Sequence, residues 1–523
     1  MNAMMPINSL SLEVLLSPHF EHVPSTASMS IDTRVLSAGD VFLAYPVGNA
    51  QQKSDNRVYI PTALNLGVSL VLYDPDGLNI ELQKSCEDQR CIAVKNLAVH
   101  AGSIAAQWYG KPSDAMRVIG ITGTNGKTTV SQWLASALNS KKSPSAVIGT
   151  LGAGLINEAV STGFTTPDAP QLQSILKTIQ DQGAKSVAME VSSHALDQGR
   201  VNGVTMDTVV FTNLSQDHLD YHASMKDYAN TKKKIFDLPG VRHAVVNADD
   251  LVGQECLTEL SKKMLTSDLT VWAYATQAQS LLSLPCFANA KLKKILAADI
   301  QLSQGGMSFD LIINGQNIGR TETQFVGAFN VSNSLAIVAC LMAGGLSGEQ
   351  AQRAIEQLKP VSGRMELVLG TSNESPMAIV DFAHTPDALE QVLKTLRVLA
   401  KERQGDLWCV FGCGGDRDQT KRPLMGRIAE SQATHVMVTS DNPRSEDPQK
   451  IINDILSGFE QPEKAQVNLD RATAILQVVR QAKPEDIVLI AGKGHEETQE
   501  IAGKKLPFSD VVHVRLAMGG SAR

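Results

Sequence analysis

The sequence predicts an α/β chain of three units, with a strand–glycine loop–helix unit in the middle and a doubly wound, Rossmann-like sheet at the C-terminal end. Three observations predict it. The 523 residues suit about three domains at roughly 100–200 residues each. Near residue 120 a strand runs into a glycine cluster and then an amphipathic helix. From residue 378 to 490 strands and helices alternate, the pattern of a mostly parallel sheet.

The first unit reads as a small α/β fold, with strands at Val41 to Ala44 and Val68 to Tyr73 and a helix-like Pro61 to Leu66 between them. A second unit runs from about 98 to 361, with apolar strands at Val187 to Met189 and Val209 to Phe211. Residues 251–325 are less regular and read as an antiparallel extension. Pro360 to Arg364, broken by Pro and Gly, reads as a linker. In the third unit Ala378 to Val380, Leu407 to Phe411, His435 to Thr439 and Ile487 to Ile490 are strands, with a helix from Pro386 to Leu399. Nearly every strand ends in a polar or glycine-rich cluster. In open α/β sheets ligands bind outside the carboxyl ends of the strands, so these clusters are the candidate site.

Composition narrows the class. A formal net charge of -7 with one short basic run, Lys232 to Lys234, argues against a nucleic-acid partner. The seven scattered cysteines show no CxxC spacing and read as reduced thiols. The first residues, MNAMMPINSLSLEVLL, lack the positive n-region of a signal peptide. The most apolar stretch, Leu335 to Leu346, is short of the about 20 residues that span a bilayer. These features predict a cytoplasmic protein with no membrane or nucleic-acid partner, taken as a monomer.

The central motif is Thr122-Gly123-Thr124-Asn125-Gly126-Lys127-Thr128-Thr129, after the strand Met116 to Ile121. In the following helix Val130, Trp133, Leu134, Ala137 and Leu138 fall at spacings of three and four. Glycines let backbone N–H groups approach phosphates, and the helix N-terminus adds positive potential. Lys127 would reach the β- and γ-phosphates of ATP, and the Thr128 hydroxyl would bind Mg²⁺. The loop is GxxGKT; the longer GxxxxGK[ST] form would need glycine where Ile121 stands. A plain glycine turn before a helix is the alternative. Glu190 ends an apolar strand, the place of an acid that holds Mg²⁺. On the predicted helix Tyr228 to Phe236, Tyr228, Lys232 and Phe236 share one face with Ile235 beside it. Lys232 therefore points inward and needs a partner or a purpose, whereas Lys233 and Lys234 form a solvated face.

The shortened loop GTNGKTT resembles that of the Mur ligase family. Further segments agree in order: Thr165-Thr166-Pro167, Glu190 to His194, Asn213 to Asp220, Gly327 to Asn330, Asp381 to His384 and Gly414 to Arg417. The resemblance covers nearly the whole chain. It implies the three-domain Mur ligase architecture: a UDP-sugar-peptide domain (1–97), a central P-loop ATPase domain (98–361) and an amino-acid domain (362–523). It is greatest to the members that join meso-diaminopimelate to UDP-N-acetylmuramoyl-L-alanyl-D-glutamate in peptidoglycan synthesis. Their route implies an acyl phosphate, ATP and two Mg²⁺ ions. By resemblance His218 is a ligand of the second ion, and Lys232, carbamylated by CO₂, is another. Asn330, Asp381 and His384 match segments that contact the nucleotide, and Arg364 in the linker would clamp phosphate.

Asp441-Asn442-Pro443-Arg444 resembles the family's signature for diaminopimelate. That amino acid differs from lysine by a second carboxylate, which a guanidinium binds bidentately. Arg417 would add a second cation, and Glu496, in the segment from Gly492, would pair the distal ammonium. Taken alone, Asn-Pro is only a turn signal. On the nucleotide-sugar side Thr33, Thr165, Thr166, Ser192, Gln198 and Arg200 match contact positions. Phe164 stands where an asparagine is expected, and the uracil pocket is aligned around Asn49. Three readings compete: an L-lysine-adding ligase of the same family, folylpolyglutamate synthase, and an ATPase switch that makes no amide bond. The first is opposed by Arg444, the second by the long first unit, and the third by the amphoteric set Arg417, Arg444 and Glu496.

Overall fold

The computed structural model describes residues 23–48, 53–282, 291–303, 306–368 and 375–519; Asn49 and the N-terminal segment through residue 22 lie outside them. Among the described residues there are three principal sheets. The first is parallel, in the order Met29–Ser30, Val41–Ala44, Leu70–Tyr73, Cys91–Ala93. Every residue of Val41–Ala44 is buried. A parallel strand covered on both faces reads as an unbroken apolar run. Helix Leu97–Trp108, which the sequence reading placed almost wholly in the second unit, packs on this first sheet and against helix Ala169–Asp181.

The central sheet has ten strands. Arg117–Thr122 sits in its middle, paired in parallel with Ser186–Glu190 on one side and Thr208–Phe211 on the other. The chain first builds outward through Ser145–Gly149, then reverses to Thr208–Phe211, His243–Asn247 and Thr270–Ala275. The crevice at this reversal is where such sheets bind ligands. Two apolar layers cover the two faces, one around Val118, Val209 and Phe211, the other around Ile119, Trp133 and Leu335. The stretch Leu335 to Leu346 falls largely on helix Ala328–Ala343, eleven of whose residues are buried. Among the described residues no helix is long and apolar enough to cross a membrane.

Residues 251–325 depart in part from the antiparallel expectation. Helix Leu251–Lys263 and strand Thr270–Ala275 continue the parallel pattern. Only Leu292–Ser303, Gly306–Ile313 and Gln316–Glu322 form antiparallel pairs. The helix buries Gly253, Cys256, Leu257, Leu260 and Ser261, a stripe with two large apolar side chains and a faint period in sequence.

The third sheet runs Glu366–Val368, Met377–Asp381, Ile487–Ala491, Leu407–Phe411, His435–Thr439, Gln466–Asn468, parallel except at its first edge. The last strand in sequence inserts between the first two parallel ones. It thereby brings the loop after Ala491 between the loops after Asp381 and Phe411. A hairpin of Thr498–Ile501 and Lys504–Pro507, absent from the sequence reading, follows.

Candidate active site

Loops at the carboxyl ends of the central and C-terminal sheets enclose a cavity of about 850 Å³. The phosphate loop forms one wall. Gly123 and Gly126 have φ of 151° and 86°, open to glycine at little cost. A Cβ on Gly123 would meet Thr212 Oγ1 at 1.9 Å, and one on Gly126 would meet Asn333 Oδ1 at 2.6 Å. Lys127 Nζ donates to the carbonyls of Gly123 and Thr124, each at 2.8 Å. Lys232 Nζ donates to the same Gly123 carbonyl at 2.8 Å.

Lys232 is only 1% exposed, and its ammonium lies 4.6 Å from the Tyr228 ring centre. Helix Met225–Lys233 starts at Ser224, whose side chain caps Asp227 N–H. Its face of Tyr228 and Lys232 is buried as the spacing predicts, but the α-helix ends at Lys233, and the buried Phe236 falls on the 3-10 turn Lys234–Asp237 that follows. Lys233 instead pairs with Glu255 and Glu259 at 3.0 and 2.9 Å. Burial, with Lys127 beside it, pushes the Lys232 amine well below the ordinary lysine range. Burial lowers Lys127 as well.

Glu190 is fully buried. Its Oε2 accepts from the hydroxyls of Thr128 and Thr150 at 3.0 and 3.1 Å, and its Oε1 from the Thr150 N–H at 2.9 Å. A Cβ on Gly149 would lie 2.2 Å from Oε1, so the carboxylate packs on bare backbone.

Beyond the loop, Asp217 gathers charge from both sheets. Its oxygens lie 3.4 Å from His218 Nε2, 3.8 Å from His384 Nε2 and 3.9 Å from Lys421 Nζ. Burial would raise its pKa, but His218, Lys421 and His384 together hold it well below the usual carboxylate range. Burial pushes His218 down to about 3, and His384 and His194 to about 4. Burial thus favours the neutral imidazole, the form in which a ring nitrogen can ligate a metal.

The C-terminal unit closes directly on this wall. Arg364 Nη2 donates to Thr128 Oγ1 at 3.0 Å, and its guanidinium lies 4.3 Å from the Phe382 ring centre. Asn125 donates to Asp387 at 3.0 Å. Asp381 accepts from the N–H groups of Met365 and Ala383 at 2.7 and 2.8 Å, so its carboxylate sets the turn of the linker. Asn330 donates to Val326 O at 2.9 Å.

Across the cavity, Arg444 sits at a φ of 51° with Nη1 on Gly415 O at 2.6 Å and Nε 3.6 Å from Glu500. The loops that carry Arg417 and Arg444 are tied by Arg422, whose side chain is fully buried. It pairs with Glu446 and Asp454 at 2.8 Å and donates to Gly414 O at 3.2 Å. Asn442 donates to Glu496 Oε2 at 2.8 Å. The arrangement offers cations for phosphates at one end, and two guanidinium groups and a carboxylate at the other.

Known proteins bear on this geometry. Residues 121–341 match the Mur ligase middle domain, and residues 363–494 match the Mur ligase glutamate ligase domain. The chain is 48% identical over 500 residues to the UDP-N-acetylmuramoyl-L-alanyl-D-glutamate--2,6-diaminopimelate ligase of Ralstonia nicotianae, covering 95% of this chain and 94% of that one. The protein of the same name from Janthinobacterium is 43% identical, covering 94% of each chain. The chain belongs to the Mur ligase family. A solved structure of a diaminopimelate ligase is similar at 34% identity with a TM-score of 0.62, covering 94% of each chain.

In this Mur ligase most of the residues singled out from sequence line the one cavity. They are Thr124 through Thr129, Thr165, Thr166, Glu190, Ser192, Arg200, His218, Lys232, Asn330, Arg364, Asp381, His384, Arg417, Asp441, Asn442, Arg444, Gly492 and Glu496. Four do not line it. Gly123 turns its carbonyl to the two lysines. Gln198 lies behind Arg200, accepting from it at 3.0 and 2.7 Å. Pro443 packs on the Gly415 backbone, where a Cβ would meet its carbonyl at 2.0 Å. Thr33 starts a short 3-10 turn of the first unit. Phe164 is 53% exposed on the cavity wall, 5.9 Å from the Arg200 guanidinium. Sequence reasoning missed Thr150, Asp217, Lys421 and Lys493. Asp217 and Lys493 stood inside quoted motifs; Thr150 had no local signal.

Proposed function

We propose that this Mur ligase joins meso-diaminopimelate to the D-glutamate γ-carboxylate of UDP-N-acetylmuramoyl-L-alanyl-D-glutamate, cleaving ATP to ADP and phosphate, in peptidoglycan precursor synthesis. The observation that carries this reading is that one cavity has the phosphate loop on one wall and Arg417, Arg444 and Glu496 on the other. An amide formed from a carboxylate and an ammonium is uphill in water and needs ATP cleavage to drive it; a cavity with both walls supports that coupling.

The substrate carboxylate attacks the γ-phosphorus and ADP leaves. The neutral amine then attacks the acyl carbon, phosphate departs and the amine loses its proton. Lys127, the loop N–H groups and Arg364 hold the phosphates. Arg364, reaching Thr128 from the linker, keeps the units closed and water away from the acyl phosphate. Arg444 and Arg417 take the distal carboxylate of diaminopimelate, and Glu496 takes its distal ammonium. Arg200, with Thr165, Thr166 and Ser192, faces the nucleotide sugar peptide.

The residues fit magnesium. Among the described residues no three His, Cys, Asp or Glu side chains converge as a cage. Mg²⁺ is commonly held by one or two carboxylates plus substrate phosphates. Thr128 and Glu190 place two oxygens 3.0 Å apart beside the loop for the first ion. His218 and a carbamate on Lys232 would hold a second. Bound there, the ions neutralise the charge that develops on the phosphoryl oxygens. Carbamylation needs a neutral amine, which adds to CO₂ and releases one proton; the lowered basicity of Lys232 favours that form. We take the enzyme to be a cytoplasmic monomer.

Phosphate release by the purified protein tests the reading. With ATP and Mg²⁺, release should require both the nucleotide sugar peptide and diaminopimelate. Release from ATP alone at the same rate would replace the ligase with an ATPase. Release with L-lysine in place of diaminopimelate would keep the ligase and remove the role given to Arg444.

A further inference from the structure

Beneath Glu496 and Asn442 lies a lysine with no exposed surface. Lys493 is 0% exposed, and its Nζ donates to Asn442 Oδ1 and Glu496 Oε2, each at 2.8 Å. Asp441 Oδ1 lies 3.8 Å away. Asn442 Nδ2 closes the ring by donating to Glu496 Oε2 at 2.8 Å. Backbone shape delivers the ammonium there. Lys493 sits between Gly492 and Gly494, with φ of 117° and 55°. A Cβ on Gly492 would lie 2.5 Å from Asp441 Oδ2, and one on Gly494 2.7 Å from Gly363 O.

We propose that Lys493 is a positioning residue for the amino-acid subsite, holding Asn442 and Glu496 in the one arrangement that leaves Glu496 Oε1 for the incoming ammonium. The inference rests on the subsite reading above. An ammonium has donors only, so the Asn442 oxygen must face it and the Asn442 amide nitrogen must face Glu496. That oxygen also accepts from Glu500 N–H at 3.0 Å, which fixes the same orientation. Both inner bonds fall on Oε2, and Oε1 accepts no hydrogen bond among the described residues. Lys493 is also the countercharge for Asp441 and Glu496. A buried charge left without its partner is costly, so losing the lysine drives the Glu496 carboxylate to turn away or to take up a proton.

A lysine that merely seals the loop would alter stability and all substrates alike. Steady-state kinetics of the full-length enzyme separate the two roles, using Lys493→Met, Glu496→Gln and the double variant. Lys493→Met should raise KM for diaminopimelate about tenfold or more, while KM for ATP and for the nucleotide sugar peptide stays within about twofold. The double variant should raise it by less than the product of the two single increases, because the lysine acts through Glu496. Lys493→Gln, which keeps an amide donor, should recover part of the loss. If Lys493→Met fails to fold, Lys493→Gln with and without Glu496→Gln carries the same comparison. Equal rises in all three KM values, or fully multiplicative effects, would overturn the proposal. An unchanged diaminopimelate KM in Glu496→Gln would overturn the subsite reading and this inference with it. A rise in Glu496→Gln without one in Lys493→Met would overturn only the inference.

Discussion

At the phosphate-loop end of the cavity Lys127 and Lys232 share one acceptor, the Gly123 carbonyl, and neither ammonium donates to a carboxylate among the described residues. At the amino-acid end Lys493, equally buried, reaches a carboxylate and an amide at the same 2.8 Å. The first arrangement gives its two lysines no carboxylate partner, and burial lowers both toward the neutral amine. The second balances its buried charge within the protein and leaves Arg417 and Arg444 to meet a ligand. The difference matches what each end would receive: several phosphate charges at one, and an amino acid with both signs at the other.

Five experiments break or sharpen that contrast. The largest effect is expected for Lys232→Ala, which should lower kcat about 10²–10³-fold, the range for removing one preorganised charge-stabilising group. Short carboxylic acids should restore part of it and added bicarbonate little. Full activity without additives would end the role assigned to Lys232. Gly149→Ala drives a methyl toward Glu190 Oε1 and should cost about 100-fold in kcat, as small displacements at reacting centres do; wild-type turnover would show that Glu190 is not used.

Arg444→Ala should raise KM for diaminopimelate more than about tenfold, since a charge-assisted contact is worth about 1.5–3 kcal/mol. An unchanged KM would take Arg444 out of the subsite. Acid should act next. Burial lowers His194 and His495 from the ordinary histidine range, about 6.5, to about 4. The unfolded chain therefore binds these protons below about pH 6.5 while the folded chain refuses them until about pH 4, and stability falls with pH across that window. Tm should drop steadily from pH 7 to 4.5; a flat Tm would contradict the burial of these rings. The smallest effect belongs to Lys233→Ala, which removes surface pairs worth about 1 kcal/mol or less and should leave kcat intact. A loss like that of Lys232→Ala would erase the contrast between these adjacent lysines.

How much of this was legible in sequence depended on whether one segment carried the information. The glycine loop, the strand ending in Glu190 and the helix face of Lys232 are local patterns, and each holds in the structure. The alternation after residue 377 likewise announced a parallel sheet. Lys493 did not announce itself, because a lysine between glycines reads as an exposed loop; its burial depends on Ile487–Ala491 entering the middle of the sheet. Thr150 is equally silent, since its value comes from Glu190, 40 residues away. Gln198 matched a contact position, but its reach is spent on Arg200. The hairpin after Thr498 was missed because its strands are short and mostly exposed, with no alternation to read.

The most direct test of the central claim, that one cavity couples ATP cleavage to diaminopimelate addition, is a competition in a single tube. The purified enzyme receives ATP, Mg²⁺, UDP-N-acetylmuramoyl-L-alanyl-D-glutamate and equal amounts of meso-diaminopimelate and L-lysine, and the product is weighed by mass spectrometry. The account predicts a product heavier by one diaminopimelate residue, with one phosphate released per product. A lysine adduct, or phosphate without any adduct, would contradict it.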